Sequence, residues 1–328
     1  MIVLKSHLRR LSVAILVALP FVLPHGAKAQ GAAYPAENLH FICGFAAGSG
    51  ADIIVRFFAN KMQPILGKTV IVENKPGAIG NIATEYVARA KPDGYTIYVT
   101  SGDALATNMH IFKKPSVDVI KQLQMVTTIN RMPMMIAVSA SSPHKTIDEL
   151  TKAMKEKGDK GSYSTTNPPA RVVGAMYKEA AGLSTLEVQY RTTADTINDV
   201  ASGVVDYAIY DPVFATIQAR QGKIRILAVA TGERLKSAPE YPTMTELGYK
   251  MNLVSWWGAM VPMGTPRPIV EKLREAFAQV IASEDGKAFL ASIASDPWMI
   301  GPDDAQQYWR KEVDDWRDYA RLAKIEPQ

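Results

Sequence analysis

Phe41-Ile-Cys-Gly-Phe-Ala-Ala-Gly-Ser-Gly-Ala-Asp52, running on into Ile53-Ile-Val-Arg-Phe-Phe58, is an apolar run that breaks into small residues and restarts. It reads as strand, tight turn and helix. Such a turn aims the unpaired N–H groups of a helix start, at the positive end of its dipole, toward one spot. Glycines at 44, 48 and 50 let the backbone approach a ligand closely, because no Cβ intervenes. The stretch therefore reads as an anion cradle.

Strand and helix signals alternate along the rest of the chain, which marks an α/β protein. Lys68-Thr-Val-Ile-Val-Glu73 is a β-branched strand, followed by the turn Asn74-Lys-Pro-Gly77 and a helical stretch with Ile82, Val87 and Ala90. Pro92-Asp93-Gly94 is a turn before the strand Tyr95–Val99, and Met134–Val138 reads as another strand. Thr146 with Glu149 forms a capping box for the next helix. A second strand-loop-helix follows in Ser162–Thr166, Asn167-Pro-Pro-Ala170 and a helix from Arg171 to Ala181 that stops at Gly182. It matches the first in architecture and differs in sequence. Leu186–Tyr190, Tyr207–Tyr210 and Lys223–Val229 are further strands, and two amphipathic helices close the chain.

The N-terminus carries Lys5, Arg9 and Arg10, an apolar run from Leu11 to Leu23, and the small-x-small site Ala27-Lys28-Ala29. Residues 1–29 are expected to be a secretory signal peptide, too short in its apolar run to remain as a membrane anchor. Removing them takes four basic residues and no acid, so the formal net charge of +5 falls to +1. The basic pI therefore gives no argument for nucleic-acid binding. Cys43 is the lone cysteine and sits in an apolar strand, as a buried small hydrophobe does. About 300 remaining residues suffice for two domains without disulfides.

Catalytic signatures are thin. Ala47 and Ala51 stand where a G-x-S-x-G elbow around Ser49 needs glycine. The loop lacks the Lys-Ser/Thr pair of a phosphate-binding P-loop, and Ile53 stands where a dinucleotide fingerprint has its third glycine. Beyond the signal peptide only His40, His110 and His144 remain, none paired at i, i+4 or near a cysteine, so no metal site is expected.

The chain resembles the periplasmic solute receptors of the tripartite tricarboxylate transporters, the Bug or TctC family. The likeness rests on Tyr34-Pro35, Gly44–Asp52, Val72-Glu-Asn-Lys-Pro-Gly-Ala-Ile-Gly-Asn81, Lys91-Pro-Asp-Gly-Tyr95, Gly222–Val229, Tyr241-Pro-Thr-Met-Thr-Glu246 and Pro262-Met-Gly-Thr-Pro266. Each motif is weak alone; their order and spacing are specific. The resemblance implies an α/β two-domain periplasmic-binding-protein fold of the Venus-flytrap, type II-like kind, with a ligand cleft between the domains. Residues 30–133 and 253–328 would form domain 1 and residues 134–252 domain 2. It further implies a monomer without cofactor or nucleic acid that delivers a small carboxylate to inner-membrane permease subunits.

Carried over position by position, the resemblance makes Phe45, Ala46, Gly48, Ser49, Ala51 and Asp52 ligand-binding candidates on the first loop. Family members commonly have Pro at position 46 and Thr or Ser at 51, so this loop lacks a hydroxyl. Asp52 is expected to brace the turn more than to touch an anion, since like charges repel. The second loop offers Thr166, Asn167, Ala170 and Arg171; it is two residues shorter than usual, with Arg where His is usual. Arg171 is expected to hold a ligand carboxylate, with a solvent-facing helix residue or a bridge to a protein acid as the alternative. Ser101, Arg191 and Asp211 complete the candidates, and Trp256 is either a hinge-side wall or core. The stiff Pro168-Pro169 and the arginine favour a flat or rigid dicarboxylate, aromatic ones included. An exported hydrolase using Ser49 or Ser101 is one alternative, and a receptor feeding a sensor kinase is another.

Overall fold

The computed structural model describes residues 34–327; the expected signal peptide lies outside the described residues. The first half of the chain gives β1 (Leu39–Cys43), α1 (Gly50–Leu66), β2 (Val70–Asn74), α2 (Asn81–Ala88), β3 (Thr96–Ser101), α3 (Gly102–Ile111), α4 (Val119–Gln122) and β4 (Leu123–Pro133). Next come β5 (Met135–Ser139), α5 (Ile147–Lys157), β6 (Ser162–Thr165), α6 (Pro168–Ala181), β7 (Leu186–Gln189), α7 (Thr193–Ala201), β8 (Tyr207–Tyr210), α8 (Pro212–Arg220) and β9 (Ile224–Val229). The last segment is β10 (Val254–Pro262), α9 (Arg267–Ala282), α10 (Glu284–Ser292), β11 (Asp296–Pro297) and α11 (Pro302–Leu322).

These strands form two sheets, ordered β11-β4-β10-β3-β1-β2 and β7-β6-β8-β5-β9. In the first, β1 runs parallel to β2 and β3; in the second, β6 runs parallel to β7 and β8. Each sheet then adds one antiparallel strand that has come across from the other: β10 beside β3 and β4, β5 beside β8 and β9. The sheets thus share one plan, although their sequences show no repeat. Only Met134 separates β4 from β5. Its carbonyl accepts from Ala230 N at 2.9 Å, and the Ala230 carbonyl accepts from Leu253 N at 2.9 Å, so the two crossings are stitched side by side.

On one face of the first sheet, α1 and α9 bury Phe58 and Phe277, with Phe41 stacked on Phe277 at 5.8 Å. On the other, α3 and α11 enclose Trp256, Trp309 and Trp316, all nearly inaccessible. At roughly 150–250 Å² and about 25 cal/mol/Å², each such ring contributes on the order of 4–6 kcal/mol of gross burial. Trp256 is therefore core, packed edge-on against Trp298 and Tyr308. The second sheet is covered by the stacked and edge-on tyrosines Tyr163, Tyr177 and Tyr207.

Two acids lie inside this aromatic layer. Trp256 Nε1 donates to Glu312 Oε2 of α11. Ser101 Oγ donates to one oxygen of Asp103 at 2.5 Å, and Ser255 Oγ donates to the other at 2.8 Å. Burial pushes the Glu312 carboxyl well above its ordinary range, the neighbouring Asp103 charge pushes it the same way, and the Trp256 N–H pulls back. Burial likewise raises Asp103. A raised folded pKa means that the native state holds a proton the unfolded chain has released, so stability falls as pH rises above about 4.5 toward the folded pKa. Glu312→Gln removes the Glu312 share of this dependence and leaves that of Asp103. In urea unfolding, the variant should gain on the native chain between pH 4.5 and pH 8; a pH-independent difference would refute the assignment.

Candidate functional site

Both sheets send the carboxyl ends of their parallel strands toward the same gap. At the ends of β1 and β3 begin α1 and α3; at the ends of β6, β7 and β8 begin α6, α7 and α8. Ligands of open parallel sheets bind outside such strand ends. The two halves meet there, because a Cβ on Gly50 would lie 3.2 Å from Val213 Cγ1 of α8.

The first turn is held by Asp52. Its Oδ2 accepts from Gly48 N and from Arg56 Nε, each at 2.8 Å, and its Oδ1 accepts from Asn74 Nδ2 at 2.8 Å. Asn74 Nδ2 also reaches the Phe45 carbonyl at 3.1 Å, tying the turn to the end of β2. Gly48 adopts φ +78°, which glycine takes without steric cost. Asp52 is 3% exposed. Burial pushes its carboxyl up, but the Arg56, Gly48 and Asn74 donors hold it below the usual carboxylate range. With both oxygens engaged, its carboxylate serves the turn. Ser49 is the N-cap, its Oγ accepting from Asp52 N at 3.2 Å. The amides of Gly50 and Ala51, at the first two helical positions, have no intrahelical acceptor and point out of the helix start. Ala46 and Gly48 are exposed, and Phe45 leans on Trp257 with ring centroids 6.0 Å apart.

The second turn differs in kind. Asn167 caps α6 through Oδ1, which accepts from Ala170 N at 2.9 Å, while Arg171 N donates to the Asn167 carbonyl at 3.1 Å. Pro168 and Pro169 have no N–H to offer. Ala170 was expected at the ligand; its amide is bonded to Asn167 and its side chain is fully buried, so it offers no group there. The α6 start therefore presents a dipole without free amides. Thr166 Oγ1 lies 3.3 Å from Thr193 Oγ1, joining the ends of β6 and β7.

The charges divide unexpectedly. Arg171 Nε donates to Glu187 Oε1 at 3.1 Å, both side chains about four-fifths buried, and Thr165 Oγ1 donates to the same oxygen at 2.6 Å. Arg171 is thus paired with a protein acid from β7. Arg191 is exposed at the turn between β7 and α7, where Thr192 and Asp195 form a capping box. Asp211 caps α8 by accepting from Phe214 N at 3.0 Å; burial raises its carboxyl, and the Phe214 N–H opposes this. Ser101 caps α3, its Oγ accepting from Ala104 N at 3.2 Å. Neither Ser49 nor Ser101 has a histidine among its hydrogen-bond partners; His40 bonds Glu73 and His110 bonds the Val313 carbonyl. A serine nucleophile needs an adjacent base. Asn74, Glu187 and Val213 were not singled out from the sequence. Asn74 carried a turn signal there, while the other two showed only an ordinary acid and an ordinary apolar residue.

Two sheets exchanging strands, with facing strand-end turns, define a two-lobed periplasmic-binding-protein fold. The model of the tripartite tricarboxylate transporter family receptor, TctC, matches residues 54–324, and the chain belongs to that family. Protein BugT of Bordetella pertussis is 25% identical over 292 residues, spanning 88% of this chain and 90% of BugT. The structure of the periplasmic binding protein BugD is 31% identical with a TM-score of 0.78, covering 90% of this chain and 100% of that one. An R. palustris protein solved with adipate is 26% identical with a TM-score of 0.82 over the same shares.

Asp52→Asn keeps the shape of the brace and replaces an acceptor by a donor facing Arg56 and Gly48. It should cost about 1.5–3 kcal/mol at neutral pH, the range for hydrogen bonds to a charged group. Because the folded carboxyl lies below its ordinary value of 3.8, the native advantage is complete above that value and shrinks as pH falls through the folded pKa. Chemical denaturation at pH 7 and pH 3 checks both the size and the sign.

Proposed function

We propose that this chain is a periplasmic receptor that captures a small carboxylate between its two sheets and delivers it to the membrane subunits of a tripartite tricarboxylate-type permease. Residues 30–133 with 253–328 act as one lobe and 134–252 as the other. The observation that carries this reading is the braced Gly44–Asp52 turn, which directs the Gly50 and Ala51 amides and the Ser49 hydroxyl at the gap where Val213 approaches. Such donors complement an oxyanion. The adipate of the R. palustris relative supports a carboxylate, and the family supports a transport partner. No helix among the described residues is long and apolar enough to cross a membrane, which agrees with a receptor that works beside its permease.

Across the gap, the net positive group is Arg191. Arg171 shares its charge with Glu187, so its pull on a ligand is largely offset. A dicarboxylate would place one end on the α1 amides and the other toward Arg191, with Thr166, Asn167 and Asp211 bordering it through hydroxyl, amide and bridging-water contacts. A micromolar Kd corresponds to about 8 kcal/mol, within reach of two charge-assisted contacts and burial of the ligand's carbon skeleton.

Calorimetric titration with C4–C6 aliphatic and benzene dicarboxylates tests the proposal. Saturable binding is expected, with the ligand recovered unaltered; binding of sugars or uncharged solutes alone would overturn it. For a bound dicarboxylate, Arg191→Ala should weaken affinity by about tenfold, or about 1.4 kcal/mol. Replacing both members of the neutral pair, Arg171→Gln with Glu187→Gln, should change it by less than about threefold, because the pair carries no net charge to lose. The reverse ranking would place the Arg171 fork on the ligand, oriented by Glu187.

A further inference from the structure

The crossing between the sheets carries a second polar concavity, away from both turns. A cavity of about 260 Å³ is lined by Arg131 near the end of β4, Thr231 to Glu233 just after β9, and Asn252 just before β10, with Leu235 and Val254 as its apolar wall. Its walls thus come from both sheets' ends of the crossing.

Arg131 is the uncommon feature. Its Nε is buried with no hydrogen-bond acceptor among the described residues, and its two terminal amino groups, which bond no described acceptor either, are the part that meets the cavity. Buried donors of a charged group are rarely left unpaired, because the lost solvation is large. The acid opposite Arg131 in the register is Asp296 of β11, 5% exposed, and its two oxygens accept from Lys236 N at 3.0 Å and Ser237 N at 2.8 Å. That carboxylate is committed to the loop beyond the cavity. Asn252 Oδ1 accepts from Gly232 N at 2.9 Å, which leaves its NH₂ group as a donor on the cavity wall. The Thr231 hydroxyl donates to the Glu233 carbonyl at 2.7 Å and retains an acceptor lone pair. A guanidinium fork, an amide donor and an apolar wall complement a planar oxyanion with a short carbon tail. Glu233 on the rim opposes a second negative charge. The volume is below the roughly 300 Å³ at which pockets for drug-sized ligands begin.

We infer that this cavity is a second binding site, for a small monocarboxylate held by Arg131 and Asn252 at the crossing. Because its walls belong to the segments that join the sheets, an occupant links β4, the residues after β9 and the start of β10. It thereby stabilises one arrangement of the crossing over others.

Sodium acetate is the probe, titrated at constant ionic strength with thermal unfolding as the readout. The native chain should show a saturable rise in Tm, distinct from the linear drift of a general salt effect. Arg131→Gln should weaken the midpoint at least tenfold. Arg131→Lys keeps the charge and loses the fork, and should weaken it at least threefold while folding normally. Lys272→Gln, which removes an exposed charge on α9 outside the cavity lining, should leave the acetate midpoint unchanged. A merely linear response in the native chain, or the same saturable response in both Arg131 variants, would overturn the inference. So would loss of the response in Arg191→Gln alone, which would place the acetate in the cleft.

Discussion

Each sheet is completed by a strand that arrives from the other, and everything else in the molecule is arranged around that exchange. β10 fills the place between β3 and β4, and β5 fills the place between β8 and β9. An antiparallel strand in that position needs no helical crossover, so the chain passes from β4 to β5 through Met134 alone. The backbone bonds from Ala230 to Met134 and from Leu253 to Ala230 hold the two passages together. The halves are joined as well by α3 and α11, which pack on α6 within one core that reaches both sheets.

The cleft side distributes its polar groups unequally. The first turn is built around a buried carboxylate that takes three donors and thereby frees two helix-start amides for an external anion. The second turn closes its own amides with Asn167 and two prolines. The same strand-loop-helix architecture thus yields a donor-rich wall in one sheet and a donor-poor wall in the other. Charge follows the same asymmetry, since Glu187 offsets Arg171 and leaves Arg191 exposed. In the proposed receptor, a ligand would meet amide dipoles on one side and the exposed Arg191 guanidinium on the other. Affinity then depends on how far the lobes come together, because exposed charge pairs are weak until water is excluded.

The parallel core was readable because its turns announce themselves. Gly44–Asp52 and Asn167-Pro-Pro punctuate apolar runs and lead into α1 and α6, and Pro92-Asp-Gly94 stands just before β3. Helix starts were read late, at Ile53 and Arg171, because N-terminal helical positions hold small or proline residues without apolar periodicity; the helices begin at Gly50 and Pro168. The two long antiparallel strands β4 and β10 escaped the reading altogether. Both are buried on nearly every residue, so neither alternates, and β4 carries Thr127, Thr128 and Asn130 inside the protein. Those polar residues are satisfied by distant partners: Thr128 Oγ1 donates to the Trp298 carbonyl, and Asn130 Nδ2 to Ser295 Oγ. Local pattern carries no trace of a hydrogen bond to a residue some 170 positions away. Ile82 shows the opposite failure, apolar in sequence and 52% exposed on α2.

The same distinction explains which site residues were legible. Asp52 and Ser49 act through neighbours three or four positions away, and such contacts follow from helix geometry. Arg171 meets Glu187 across the gap between α6 and β7, a distance in sequence that includes an entire helix and a turn. Its role turns on whether an acid happens to lie under it, and many sequences with the same turn would lack one. Arg131 repeats the point at the crossing, where what matters is that Asp296 is engaged with Lys236 and Ser237. An arginine's chemistry is set by the acids that have already been claimed. In the proposed sites, Glu187 and Asp296 therefore do as much to set what each arginine can hold as the arginines do themselves.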